Sequence, residues 1–147
     1  MLVDTNVLLR TIQLRHPQHD VATRAIKVLP ARGMELHIVA QNLIELWAVA
    51  TRPADNNGLD MTPTQAAAEL ERLRAIFVLL PETPAIYPAW EELVLQQQVR
   101  GKAAHDARLV AAMQVHGIAE LLTFERTGFS RYAAINVVYP ADVIEAT

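Results

Sequence analysis

The chain has no cysteine and only one serine, Ser130, among its 147 residues. The lack of cysteine excludes disulfides, thiolate metal ligands and a cysteine nucleophile, and it fits the reducing cytoplasm in which we expect the protein to work. Ser130 does not lie in a nucleophile elbow, and neither common type of glycine-rich phosphate-binding loop is present. The sequence therefore argues against covalent hydrolysis through serine or cysteine and against a phosphate-binding glycine loop.

The chain also lacks a long apolar run and an excess of positive charge. No apolar segment approaches the roughly 20 residues that a membrane-spanning helix needs, so we expect no membrane association. The formal net charge is −3, whereas proteins that bind nucleic acid usually carry a basic excess that neutralises phosphates. A role on nucleic acid would therefore depend on a local basic rim or on bound cations. The alternative is that a mild negative charge serves solubility alone.

Short apolar runs alternate along the chain with segments whose apolar residues have helical spacing. A length of 147 residues and a hydrophobic fraction of 52% fit one domain, residues 1–147, with a sizeable core. Short apolar runs predict strands at residues 1–4, 36–40, 77–80, 120–123 and 135–138. Apolar residues at helical spacing predict helices that begin near His16, Asn42, Thr62, Pro88 and His105. This alternation predicts an α/β fold of three layers, in which helices cover both faces of a mostly parallel, five-stranded sheet.

Four acids lie where these predicted strands end or helices begin. Asp4 follows the first strand, Glu45 lies early in the helix after the second, Asp106 lies at the start of its helix, and Glu125 follows the fourth strand. The carboxyl ends of parallel strands share one edge of the sheet, which is where open α/β sheets bind ligands. Asp106 belongs there only if its helix starts on the same side. We therefore expect one acidic cluster at this edge.

Each acid also has a structural explanation of its own. Asp4 could be a helix N-cap, and Glu45 has the spacing of a capping box that reaches back to Asn42. Asp106 would favour the positive end of its helix dipole, and Glu125 could be a solvated loop acid. All four together would repel and raise each other's pKa unless a cation joined them.

A hard cation would suit such an all-oxygen cluster. Mg²⁺ and Mn²⁺ prefer carboxylate and water ligands. When bound, these ions hold a phosphate and activate a water for in-line attack, which is the chemistry of phosphodiester hydrolysis. The five histidines of the chain do not have a metal-ligand spacing. The pattern therefore indicates Mg²⁺ or Mn²⁺ bound by acids.

The motifs around these acids resemble those of PIN-domain ribonucleases, particularly the VapC-type toxins of bacterial toxin–antitoxin pairs. Residues 2–8, LVDTNVL, resemble the first motif of that family. The other motifs are similar to residues 42–47, 105–112 and 121–125, and the tail is similar to residues 129–132 and 137–140. The resemblance extends over the whole chain, and it depends on the order and spacing of the motifs.

The resemblance implies a PIN-like fold and a Mg²⁺- or Mn²⁺-dependent endoribonuclease that hydrolyses RNA phosphodiester bonds. It implies that Asp4, Glu45 and Asp106 form the metal site. Asn6 or Thr5 would support Asp4 or a water on the metal, and Thr123 would place a hydroxyl near the site. It also implies a homodimer and a small antitoxin protein that covers the acidic pocket.

The chain departs from the family pattern at the fourth motif. Glu125 stands where Asp or Asn is common, and Gly128 stands where another acid often precedes the phenylalanine. Glu125 would therefore bind a second metal directly, bind it through water, or not bind it. Two alternatives to the ribonuclease stay open: a degenerate PIN-like protein that acts only through a partner, and a metal-dependent DNA nuclease or phosphatase. Transfer, ribosomal and messenger RNA all stay open as targets.

Basic residues flank several of the motif loops and would guide an RNA backbone past the acids. The candidates for such a rim are Arg10, Arg15, Arg52, Arg100, Lys102, Arg108, Arg126 and Arg131.

Overall fold

A computed structural model describes residues 1–146, and it contains one five-stranded sheet. The strands are β1 (Leu2–Val3), β2 (His37–Ile38), β3 (Val78–Leu79), β4 (Glu120–Leu122) and β5 (Asn136–Val138). They lie in the order β3-β2-β1-β4-β5, and every neighbouring pair is parallel. The expected α/β architecture is confirmed, with a sheet that is parallel throughout.

Seven α-helices accompany the sheet within residues 1–146. They are α1 (Thr5–Ile12), α2 (His19–Ala31), α3 (Ala40–Thr51), α4 (Pro63–Ile76), α5 (Ile86–Gln96), α6 (Ala103–Val115) and α7 (Pro140–Glu145). None of the helices in this part of the chain is both long enough and apolar enough to cross a membrane.

The two faces of the sheet bury separate apolar clusters. Successive strand residues point to opposite faces, so Val3 and Leu122 pack in a cluster with side chains of α1, α2 and α3. Leu2 and Leu121 pack on the other face, in a cluster with side chains of α5 and α6. All four side chains are fully buried. The helices on both faces complete the three layers that the sequence predicts.

The central pair of strands positions the residues that follow them. The chain builds β2 and β3 on one side of β1 and β4 and β5 on the other. The sheet order therefore reverses between β1 and β4, which is the point where open α/β sheets form a ligand crevice. Val3 pairs with Leu122 in the register of these strands. Asp4 and Thr123, the next residue of each strand, therefore emerge side by side.

Several element boundaries differ from the sequence prediction, and the differences at α5 and α7 involve proline. The helix expected at Pro88 begins at Ile86, because the first helical turn tolerates a missing N–H. The sequence predicts that this helix extends to Val99 with Gly101 as its C′ residue, whereas it ends at Gln96, and Gln98 adopts the left-handed conformation with φ 50°. The strand β5 ends at Val138, and Pro140 begins α7, which the sequence prediction lacks.

Candidate active site

Asp4 lies at the carboxyl edge of the sheet, held from two elements. Its Oδ1 atom accepts a hydrogen bond of 2.7 Å from the Thr5 backbone N–H, so it is the N-cap of α1. Its Oδ2 atom accepts a hydrogen bond of 2.7 Å from the Thr123 hydroxyl at the end of β4. The side chain is only 9% exposed. The capping explanation is therefore correct for one oxygen, while the second is directed by the neighbouring strand.

The hydroxyl of Thr123 forms hydrogen bonds with three groups at this edge of the sheet. Besides donating to Asp4, its hydroxyl accepts hydrogen bonds from Asn6 Nδ2 at 3.0 Å and from the Glu125 backbone N–H at 3.1 Å. A hydroxyl has one proton and two lone pairs, so these three bonds use its whole capacity. Asn6 Oδ1 in turn accepts from the Phe124 N–H at 3.2 Å. Thr123 and Asn6 therefore position Asp4 and the loop after β4.

Glu45 is joined to Asp4 through Thr5. The Thr5 hydroxyl donates to Glu45 Oε2 at 2.9 Å and accepts from Asn42 Nδ2 at 3.2 Å. The capping box expected for Glu45 is wrong because α3 begins earlier, at Ala40, and the Asn42 side chain accepts from the Val39 N–H at 2.8 Å. The carboxylate of Glu45 is thereby released from the helix end and lies in the site.

Gln41 connects the helix of Glu45 to the helix of Asp106. Its Nε2 atom donates to Glu45 Oε1 and to the His105 carbonyl oxygen, both at 2.8 Å. The beginning of α6 therefore lies at the same edge as α3, and this meets the condition for placing Asp106 in the cluster. Gln41 is buried, and the sequence prediction did not include it. Its position one helical turn before Glu45 is the signal that could have identified it.

The acids share one electrostatic field. Burial raises the pKa of Asp4 from 3.8 to about 6, hydrogen bonds from Thr123 and Thr5 oppose the shift, and the charges of Asp106 and Glu45 add to it. Burial also raises the pKa of Asp106 to about 6, with the charges of Glu125 and Glu45 as the next causes. Carboxylates that raise each other's pKa in this way favour a cation among them.

Glu125 reaches this field from an exposed loop. A Cβ atom placed on Gly128 would collide with Glu125 Oε1, so the carboxylate of Glu125 lies against the bare backbone of Gly128. Among the neighbouring charges that raise the pKa of Asp106, that of Glu125 has the largest effect. The missing side chain at Gly128 therefore leaves the space that Glu125 occupies.

The chemistry of the donors fits Mg²⁺ or Mn²⁺. Within residues 1–146, no three His, Asp or Glu side chains converge into a ready-made metal cage. Mg²⁺ does not require one, because it keeps several waters and takes one or two carboxylates together with substrate phosphates. The oxygens of Asp4 and Glu45 that accept the hydrogen bonds above retain further lone pairs. The residues present therefore suit a hydrated cation.

Three of the basic residues predicted for the rim contact other side chains through their guanidinium groups. Arg108 Nη1 donates to Gln41 Oε1 at 3.4 Å, and its Nη2 donates to Glu82 at 2.6 Å, so it belongs to the acidic edge. Arg10 is held by Gln13 and Gln18, and the guanidinium of Arg126 lies 3.9 Å from the centroid of the Tyr139 ring. Arg108 is therefore the rim residue that the structure connects to the site.

The fold and this edge together define an α/β domain with an acidic crevice at the switch point of its sheet. The PIN domain family matches residues 1–135, and the chain belongs to that family.

Individual relatives carry the comparison further. The chain is 26% identical to Ribonuclease VapC24 of Mycobacterium tuberculosis over 144 residues, which cover 94% of each protein. The crystal structure of VapC20 of the same organism, a sarcin–ricin loop cleaving toxin, matches with a TM-score of 0.65 and 22% identity, over 89% of this chain and 94% of that one. VapBC2 of Rickettsia felis, bound to a promoter DNA fragment, matches with a TM-score of 0.70 and 15% identity, over 94% and 96%. The chain is thus a PIN domain that resembles VapC toxins.

Proposed function

We propose that the protein is a metal-dependent endoribonuclease that hydrolyses RNA phosphodiester bonds and acts as the toxin of a type II toxin–antitoxin pair. The observation that carries this proposal is Asp4, a buried carboxylate fixed between β1 and β4 in the field of Glu45 and Asp106. Burying such a charge is costly unless a cation compensates it. Membership of the PIN family and the likeness to VapC24 support RNA as the substrate.

Asp4, Glu45 and Asp106 would hold the Mg²⁺ or Mn²⁺, and Glu125 would assist from the loop. When bound, such a cation supplies positive charge to a phosphate and lowers the pKa of a water. Thr123 and Thr5 orient the carboxylate of Asp4, and Gln41 and Thr5 orient that of Glu45. These bonds hold the two carboxylates in place before any substrate arrives, which lowers the cost of reaching the reactive arrangement.

The partners follow from the same edge and from the relatives. A toxin–antitoxin complex from Klebsiella pneumoniae has the same fold, with a TM-score of 0.61 and 20% identity, over 95% of this chain and 96% of that one. Complementary charge helps an interface to form and to select its partner, so a small antitoxin with a basic segment suits the acidic edge. We propose this antitoxin and a homodimer as the assembly.

RNA cleavage by matched variants tests the proposal. Wild-type protein should cut RNA with Mg²⁺ or Mn²⁺ and stop when EDTA is added. Asp4→Asn should lower the rate more than about 100-fold, because loss of a metal-holding carboxylate removes several kcal/mol of transition-state stabilisation. Asp20→Asn, which changes an exposed acid on α2, is the control and should cut normally.

Two results would overturn the proposal, and each identifies an alternative. Cleavage of DNA or of a small phosphate ester in preference to RNA would indicate another phosphoesterase. Absence of cleavage together with no Mn²⁺ binding in calorimetry would indicate a degenerate protein that acts only through its partner. Wild-type cleavage by Asp4→Asn would refute the assigned site itself.

A further inference from the structure

Two cavities adjoin beside the acids. One, of about 470 Å³, is lined by Gln41 and Glu45 among others. The second, of about 400 Å³, is lined by Tyr87 and Trp90 of α5. His105 and Arg108 line both cavities. A ligand that reaches Glu45 could therefore extend directly to the aromatic rings of α5.

The rings of Tyr87 and Trp90 offer this second cavity apolar surface. Their centroids are 5.8 Å apart, and Tyr87 is 64% exposed. The polar end of each ring is already bonded: Trp90 Nε1 donates to the Ala104 carbonyl at 2.8 Å, and the Tyr87 hydroxyl donates to Glu91 at 2.8 Å. These bonds restrain the rings and leave their faces for stacking.

Arg108 adds a cation between the rings and the acids. Its guanidinium is hydrogen-bonded to Gln41, which also holds Glu45, and its side chain is 36% exposed. It also pairs with the exposed Glu82 at 2.6 Å, so a nucleotide would take over this contact from Glu82. A planar guanidinium can pair with a phosphate or stack on a base. Proteins that bind single-stranded RNA combine stacking rings with such cations.

We propose that the cavity of Tyr87 and Trp90 is a subsite for one base of a single-stranded RNA substrate, with Arg108 contacting the same nucleotide. The inference rests on the proposed ribonuclease function and adds a residue set that binds and aligns the RNA. RNA is the occupant favoured over a protein because this cavity shares His105 and Arg108 with the cavity lined by Glu45, the acid that would serve the scissile phosphate.

Trp90 fluorescence reports directly on this subsite. The chain has two tryptophans, so Trp47→Phe leaves Trp90 as the only one. In that background, with EDTA present to prevent cleavage, single-stranded oligoadenylate or oligouridylate should quench Trp90. Tyr87→Ala should raise the Kd about tenfold, which is the scale of a lost stacking contact. Leu95→Ala, which removes a side chain 64% exposed on the same helix but outside the cavity, should leave the Kd unchanged.

Cleavage kinetics provide the second measurement. Tyr87→Ala should raise KM about tenfold with kcat within about twofold, because the base is bound away from the reacting phosphate.

The outcomes separate the subsite from the ribonuclease. If Trp90 is quenched and Tyr87→Ala weakens binding although no RNA is cut, the subsite stands and the ribonuclease proposal fails. If RNA is cut while Trp90 stays unquenched and Tyr87→Ala keeps the wild-type KM, the subsite is refuted and the ribonuclease stands. Absence of RNA binding, or fluorescence that responds to protein concentration instead of RNA, also refutes the subsite, and the latter indicates a second copy on this surface.

Discussion

The two sides of the acidic edge are built differently. On the strand side, Asp4 is buried, and the sheet register together with Thr123 determines where its carboxylate lies. On the loop side, Glu125 is exposed and follows β4 in a segment, residues 124–132, that forms neither helix nor strand. Its backbone N–H is bonded to Thr123, but its carboxylate lies over Gly128.

On the strand side, the buried hydrogen bonds of the folded protein fix where the carboxylate lies. On the loop side, a bound ligand can change the position of the carboxylate. Breaking the strand side would disturb several buried hydrogen bonds, which are expensive to leave unmade. The exposed carboxylate of Glu125 can reorient without unfolding anything. We therefore expect changes on the strand side to affect both the fold and catalysis, and changes on the loop side to affect cation binding with little change in stability.

The largest effect should come from Thr123→Val, which keeps the shape but removes the hydroxyl. Asp4 Oδ2 would lose its donor, and Asn6 and the Glu125 N–H would lose their acceptor. We expect a loss of about 2–3 kcal/mol in the free energy of unfolding and a severe loss of cleavage. Urea denaturation and RNA cleavage measure the two effects.

Two further variants make the Thr123 experiment specific. Thr123→Ser restores a hydroxyl and should recover most of both losses. Thr64→Val makes the same change at an exposed position of α4 and should have little effect. A Thr123→Val protein as stable as wild type would show that the hydrogen bonds of the Thr123 hydroxyl do not stabilise the strand side.

The next effect concerns pH and divalent cations. The pKa of Asp4 and of Asp106 is raised to about 6 in the folded protein. Between 3.8 and about 6 the folded state then binds more protons than the unfolded state, so stability without cations falls as pH rises through this window. Mn²⁺ at about 100 times its Kd should offset this loss by about 2.7 kcal/mol at pH 7.5, or about 5–10 °C in Tm.

The same measurement at pH 5 provides the contrast. Asp4 and Asp106 are then mostly protonated, because the pKa of each is raised to about 6, so the Mn²⁺-induced shift in Tm should be much smaller. Asp4→Asn should reduce the shift at pH 7.5, whereas Asp20→Asn should keep it. Equal shifts at both pH values would mean that the ion binds elsewhere.

The fold was predictable because its signals are local. Alternating apolar strands and amphipathic helices indicated a five-stranded sheet with helices on both faces, and the position of Asp4 at a strand end followed from them. The boundaries were less predictable, since they depend on tertiary contacts. The side chain of Asn42, for example, caps α3 from inside the helix, whereas its sequence context suggested that it preceded the helix.

The sequence named the acids of the candidate site but not all of the groups that connect them. Gln41 donates to Glu45 and to a carbonyl 64 positions away, at His105, and no short motif encodes such a contact. The space that Gly128 provides for Glu125 likewise depends on how the loop folds. The family resemblance named Thr5, Asn6 and Thr123 beside the acids, whereas the contacts of Gln41 and Gly128 depend on elements that only the folded chain brings together.

Gln41→Ala tests whether these connections matter and should have an intermediate effect. Loss of its bonds should free Glu45 and loosen the contact between α3 and α6, at a cost of about 1 kcal/mol in stability. Partners that orient metal ligands typically contribute about 10- to 100-fold in metal affinity or activity, so Mn²⁺ binding should weaken by about tenfold. Calorimetry measures that affinity, and Gln114→Ala on the exposed side of α6 is the control. Unchanged Mn²⁺ affinity would show that Gln41 is structural only.

The smallest effect should come from Glu125→Gln. Whether this change weakens or strengthens Mn²⁺ binding shows which role Glu125 has. If Glu125 assists the cation, its loss should weaken Mn²⁺ binding by about 3- to 10-fold with unchanged stability. If it is only a solvated acid, the opposite follows: its charge raises the pKa of Asp106, so removing it lets Asp106 ionise more readily and strengthens binding near pH 6. Gly128→Ala should change Mn²⁺ binding in the same direction as Glu125→Gln, because the added methyl displaces the carboxylate of Glu125 from its present position. Calorimetry at pH 6, with exposed Glu71→Gln as the control, decides between the two roles.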